Sequence, residues 1–87
     1  MELDRRKMKI LGAIVSEYIR TGEPVGSKRV AQLLDTQVSP ATCRNEMSLL
    51  FDLGLLEQPH TSAGRIPTAK AFRLYIDSLM RRQTLSE

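Results

Sequence analysis

Apolar residues set the frame of this chain. From Asp4 to about Arg20, Leu11, Ile14, Val15, Tyr18 and Ile19 fall at the i, i+3, i+4, i+7, i+8 spacing of one helical stripe. Asp4 can cap the start of this first helix. Thr21-Gly22, with Pro24 just beyond, ends it, because glycine takes up a left-handed cap and proline cannot continue a helix. Residues 21–26 read as a connector. Ser27 is a candidate N-cap for a short second helix from Lys28 to Leu34, with Val30, Ala31, Leu33 and Leu34 turned to the core. After a brief turn over Asp35 to Val38, Ser39-Pro40 is a strong start signal, a serine cap followed by proline where its missing N–H is harmless. The third helix is predicted from Pro40 to about Leu53.

Gly54 ends that helix, and Leu55-Leu56-Glu57 reads as a short strand. Gln58 to Pro67 is rich in Pro, Ser, Thr and Gly and reads as a hairpin loop, with a return strand around Arg65-Ile66. Thr68 caps a last helix running to about Arg82, whose Phe72, Tyr75, Ile76, Leu79 and Met80 share one face. Three helices, a hairpin and a fourth helix, with a tight turn between the second and third, predict a mainly α fold with a small β-hairpin. This is the order of a winged helix-turn-helix. The whole of residues 1–87 is expected to form that single domain.

On the third helix, with about 100° per residue, Cys43, Glu46, Met47 and Leu50 point inward with Leu53 nearby. Ala41, Arg44, Asn45 and Ser48 stand on the opposite side. That outer face suits a DNA major groove: small residues permit close approach, Arg can bond bidentately to guanine and Asn to adenine. Ser39 and Thr42 lie at the helix start, where backbone N–H groups and the helix dipole favour a phosphate. Ser27 and Lys28 are candidates for the backbone beside them. In the wing, His60, Thr61, Ser62, Gly64 and Arg65 offer donors on a compact tip. The competing reading of each of these is an ordinary solvated surface.

Composition changes this picture little. An 87-residue chain buries only about 60% of its unfolded surface, so it has room for one core and no catalytic lobe. Its 41% hydrophobic and 26% charged residues are those of a globular protein. The net charge of +3 does not by itself decide between nucleic-acid binding and plain solubility. The densest positive run is Arg5, Arg6, Lys7 and Lys9, either a solvated face or a second phosphate contact. Cys43 is the lone cysteine and sits in the apolar stripe, so it reads as a packed small hydrophobe in a reducing compartment. No apolar run is long enough to span a bilayer and no secretory core is present, which gives a cytoplasmic expectation. His60 has no ligand cluster around it, and neither a phosphate-cradling glycine motif nor a nucleophile with a base partner occurs. No cofactor, metal or enzymatic activity is implied. Two functions remain open, sequence-specific DNA binding and a protein-interaction module built on the same fold.

Longer strings narrow the choice. GEPVGS at 22–27, SPATCRNEM at 39–47, LGLLEQPHTSAGRIPT at 53–68 and YID at 75–77 are similar to the HrcA family of bacterial heat-shock repressors, essentially along the whole chain. The resemblance implies a winged-helix domain that binds an inverted-repeat operator upstream of chaperone genes as a homodimer, with repression supported by the GroEL chaperonin. It also implies that Ala41 to Met47 carry the DNA-reading element and Pro59 to Arg65 the wing. The chain departs from the family pattern at Cys43, where isoleucine is common, at Leu49-Leu50-Phe51 and at Ala71-Phe72. Phe51 is the departure of most interest, because it is expected to stand exposed beside Leu55 or to pack on a neighbouring element. Members of the family usually continue into a large C-terminal region, so the last helix is expected to leave part of its apolar face uncovered.

Overall fold

A computed structural model describes the backbone of residues 3–35, 37–59 and 64–85, and side chains as far as Arg81. In chain order the elements are α1 (Arg5–Thr21), α2 (Ser27–Leu33), α3 (Pro40–Asp52), β1 (Leu56–Glu57), β2 (Ile66–Pro67) and α4 (Ala69–Leu85). The predicted mainly helical fold with a hairpin between the third and fourth helices is the one observed.

Local chemistry accounts for most boundaries. The Asp4 carboxylate accepts from the Lys7 N–H at 2.8 Å, and the Gly22 N–H donates to the Tyr18 carbonyl at 2.7 Å. These bonds satisfy groups that every helix end leaves without a partner. Thr68 Oγ1 accepts from the Ala71 N–H at 3.3 Å and donates to the Gly54 carbonyl at 2.8 Å, so one side chain starts α4 and closes the end of α3. Gly54 itself has φ +80°, the left-handed turn that glycine takes at no steric cost.

The second helix begins differently from expectation. Gly26 is its N-cap, Ser27 is its first helical residue, and no side chain caps it. The reason is a pairing between distant parts of the chain. Val25 and Arg65 exchange both backbone hydrogen bonds, at 2.8 and 2.9 Å, as an antiparallel bridge. The connector is therefore held extended through Val25, and the turn into α2 falls on Gly26. Beside this bridge β1 and β2 pair antiparallel, Leu56 with Pro67 and Glu57 with Ile66. The first strand lies within the predicted Leu55–Glu57, and the return strand is displaced by one residue from Arg65-Ile66.

One core joins the four helices and β1. Ile10, Leu11, Ile14 and Val15 of α1 meet Val30 and Ala31 of α2, Cys43, Met47 and Leu50 of α3, Leu55 and Leu56, and Ala71 of α4. Ile19 is not part of it and is 67% exposed. With a step of about 100° per residue it stands about 110° from the centre of the buried stripe, which Ile10 completes at the other end. Leu53 is exposed as well, because α3 has ended there and Leu53 is its cap. Leu33 and Leu34 are half-buried at the edge of the core. On α4, Phe72 and Tyr75 pack against α1, Phe72 with Tyr18 at a ring separation of 6.4 Å and Tyr75 through a 3.2 Å hydrogen bond to Ser16. Beyond them Ile76, Leu79 and Met80 are exposed, the uncovered face expected of the last helix.

Candidate nucleic-acid interface

α3 is the best-anchored helix. Ser39 Oγ accepts from the Thr42 N–H at 3.2 Å and contacts Thr42 Oγ1 at 3.1 Å, while Pro40 fills the first helical position. On the inner side Glu46 is nearly buried between two cations of α1, Lys7 Nζ at 3.1 Å and Arg6 at 3.7 Å. Hydrogen bonds that the Lys7 ammonium donates to the Asp4 carboxylate and then to Glu46 hold it above its ordinary pKa. Cys43 is fully buried, and burial pushes its thiol pKa up, which removes it as a nucleophile.

The outer side is open. Ala41, Arg44, Asn45 and Ser48 are all exposed, and among the described residues Arg44 and Asn45 have no hydrogen-bond or ion-pair partner. Several arginines elsewhere are committed. Arg20 and Arg29 both bind the nearly buried Glu17, at 2.8 and 2.9 Å, and hold its carboxyl below the usual range, Arg20 foremost. Three of the four cations at the start of α1 are likewise engaged in fixing the fold: Arg6 and Lys7 hold Glu46, and Lys9 lies 3.5 Å from Gln37.

Ser27, Arg44, Ser48 and Arg65 come together around a cleft of about 120 Å³ that also touches Met47. Ala41, Asn45, Ser39, Thr42 and Lys28 lie outside the cleft. Ser39 and the Thr42 N–H are occupied by the helix cap, so the backbone donors available at the start of α3 are fewer than the sequence suggests. Gly64 is buried: a Cβ there would stand 3.0–3.1 Å from Pro24 and the Val25 nitrogen, so it serves the close approach of wing and connector rather than the wing surface. His60, Thr61 and Ser62 lie outside the described residues.

Two contributors were not legible as such. Val25 aligns the wing root, and Phe51 lies under the guanidinium of Arg65, 5.7 Å from ring centroid to Cζ, in cation–π range. The exposed position of Phe51 was the visible signal, but its partner was not. Among the described residues no cluster of three metal-ligating side chains occurs, and no helix is long and apolar enough to cross a membrane.

A helix-turn-helix whose second helix bears an open, hydrogen-bonding face, followed by a hairpin tied back to the α1–α2 connector, defines a winged helix-turn-helix domain. The family model described as winged helix-turn-helix transcription repressor, HrcA DNA-binding, matches residues 2–80. The chain belongs to that family. It is 54% identical over 87 residues to the heat-inducible transcription repressor HrcA of Desulfitobacterium hafniense, covering 100% of this chain and 25% of that protein. Over 86 residues it is 58% identical to the HrcA of Pelotomaculum thermopropionicum, covering 99% of this chain and 25% of the other. A crystal structure described as a hypothetical protein at 2.2 Å resolution superposes with a TM-score of 0.86 at 47% identity, over 91% of this chain and 25% of the other. The chain thus spans about a quarter of the length of the relatives it matches.

Proposed function

We propose that this chain is the DNA-reading domain of a repressor of heat-inducible genes, with α3 in the major groove of its operator. Arg44 and Asn45 present bidentate hydrogen-bonding ends to base edges, and Ala41 and Ser48 let the helix approach closely. Ser27, Lys28, Ser39, Thr42 and Arg65 lie toward the backbone phosphates, and the wing, including His60, Thr61 and Ser62, lies over the flanking groove. The observation that carries this reading is that Arg44 and Asn45 stand together on one exposed face of α3 with no hydrogen-bond or ion-pair partner among the described residues, where Arg6, Arg20 and Arg29 are each paired with a carboxylate. A homodimer of the whole repressor would match the two-fold symmetry of an inverted repeat. Action on an operator places it in the cytoplasm, with the GroEL chaperonin as the partner implied by the family resemblance.

Selection of duplexes from a random pool at near-physiological salt tests the proposal, and an enriched half-site or inverted repeat is expected. Arg44→Ala should then lose about 1–3 kcal/mol of binding and relax specificity at one position, whereas Lys28→Ala should weaken all sequences alike. Failure of any duplex to bind in a salt-dependent way, together with a stable protein complex through the exposed Ile76, Leu79 and Met80 of α4, would establish the protein-interaction reading instead.

A further inference from the structure

Four residues of α3 are buried, and three of them, Cys43, Met47 and Leu50, are apolar. Apolar burial holds a helix against its neighbours without direction, because it depends on the area removed from water and not on the angle of approach. Glu46 is the exception. Its Oε1 is closed off from solvent and faces the Lys7 ammonium at 3.1 Å, and its Oε2 faces Arg6 at 3.7 Å. Lys7 is fixed in turn by the residue that caps α1. Its N–H donates to Asp4 Oδ1 at 2.8 Å and its ammonium to Asp4 Oδ2 at 3.0 Å. Asp4, Lys7 and Glu46 thus form one line of polar contacts from the start of α1 to the inner face of α3.

A nearly buried ion pair contributes little net stability, because taking two charges out of water offsets most of their attraction. What it supplies is direction, since the contact is made in one orientation of the helix and lost in others. A helix with its side chains has a radius of about 5–6 Å, so a roll of about 15° carries the outer ends of Arg44 and Asn45 through about 1.5 Å. Recognition groups must be held to within about 0.5 Å. We propose that Glu46, through Lys7, is a positioning residue for base recognition: it fixes the roll of α3 about its own axis, so that Arg44 and Asn45 reach base edges together. Glu46 acts from the inner face and touches no base. The proposal rests on the DNA-binding reading above and adds to it a determinant of specificity that lies behind the reading face and extends, through Asp4, to the start of α1.

The test measures, at fixed salt, the affinity of each variant for the selected duplex relative to a scrambled one, with its melting temperature alongside. Glu46→Met/Lys7→Met removes one charge of each sign, so the net charge is unchanged and the side chains remain of similar length. The double variant is expected to melt no lower than the wild type, as apolar replacements of buried ion pairs often do. Its selected-to-scrambled ratio should nevertheless fall at least about fivefold, the discrimination of one bidentate base contact. Lys7→Arg keeps the pair and should keep the ratio. Lys7→Met alone retains the N–H that Asp4 caps and should lower the ratio in the same direction; it decides the question if the double variant is unfolded. In an Arg44→Ala background the loss should shrink, because the contact being positioned is already gone. A role in stability alone would lower the melting temperature without that dependence. A folded double variant with the wild-type ratio overturns the positioning role, as does a fall in affinity for both duplexes alike or a loss of ratio equally large with and without Arg44; each leaves DNA binding intact. A wild type that prefers no duplex overturns the DNA-binding reading and this proposal with it.

Discussion

Replacing Gly64 with alanine tests how the wing is attached. The cost of the substitution is set by the space around Gly64. A Cβ would lie 3.0 Å from Pro24 Cβ, 3.1 Å from the Pro24 carbonyl carbon and 3.1 Å from the Val25 nitrogen. Comfortable carbon contacts are about 3.5–4.0 Å, so three atoms must retreat by roughly half an ångström. Two of them are backbone, and they cannot retreat without stretching the hydrogen bonds between Val25 and Arg65, already at 2.8 and 2.9 Å. Overpacking of this kind costs about 1–3 kcal/mol. Release of the bridge sets a ceiling, because two hydrogen bonds at about 1 kcal/mol each are all that need be lost. The expected destabilisation is therefore about 2 kcal/mol, which in a domain of this size lowers the melting temperature by about 8–16 °C. Circular-dichroism melting reads the total, and amide exchange at Val25 and Arg65 reads where it falls, with both amides expected to exchange faster than those of α1. A melting temperature within about 2 °C of the wild type, with both amides as protected as before, would show that the connector yields freely and that the wing root is not held as described.

Acid should weaken the fold through its engaged carboxylates. Glu17, bound by Arg20 and Arg29, and Asp4, bound by the Lys7 N–H, both have pKa values below their ordinary ones. Their contribution is complete above the unfolded values, about 4.3 and 3.9, and is lost as pH falls through the lower folded ones. Melting temperature should thus decline on acidification into that range, and Glu17→Gln should melt lower than wild type at pH 7 with a shallower acid dependence; identical acid dependence in the two proteins would refute the assignment. Cys43, buried and with its thiol pKa raised by burial, should resist alkylation at neutral pH until the chain is denatured. Mass spectrometry of the native chain showing rapid labelling would place the thiol outside the core.

What could be read along the chain was set by local rules. Asp4, Ser39-Pro40 and Thr68 announce helix starts because a cap bonds a backbone group only two or three residues away, and each performs that task in the folded chain. The outer face of α3 was legible for the same reason, since a period of 3.6 residues assigns sides without any knowledge of partners. Ser27 was misread as a cap because the constraint comes from Arg65, far along the chain, through the bridge to Val25. Gly64 read as a donor on the wing tip, although its close approach to Pro24 and Val25 sets its place. The inward turn of Glu46 was legible but its partners were not, because the cations that bind it belong to α1. The cleft was hidden for a stronger reason: its members are contributed by three elements, and no periodicity relates them.

The small net charge of +3 is a poor guide to where an anionic partner could bind, because pairing decides how much of each charge remains outward. At the α1 end, Arg6 and Lys7 are drawn to Glu46, and their effect is to hold α3 against α1 at the base of its inner face. Along the other end of α1, Arg20 and Arg29 converge on Glu17 and hold α2 in place. Both nearly buried carboxylates thus neutralise cations on the helices that support α3, while among the described residues no carboxylate lines the cleft beside Arg44. A long Arg5-to-Lys9 run is consequently less informative about ligand binding than a single arginine with no acidic neighbour. The same ion pairs that stiffen the helix-turn-helix leave Arg44 without an acidic partner among the described residues, and a duplex approaching the open edge of α3 would meet that charge.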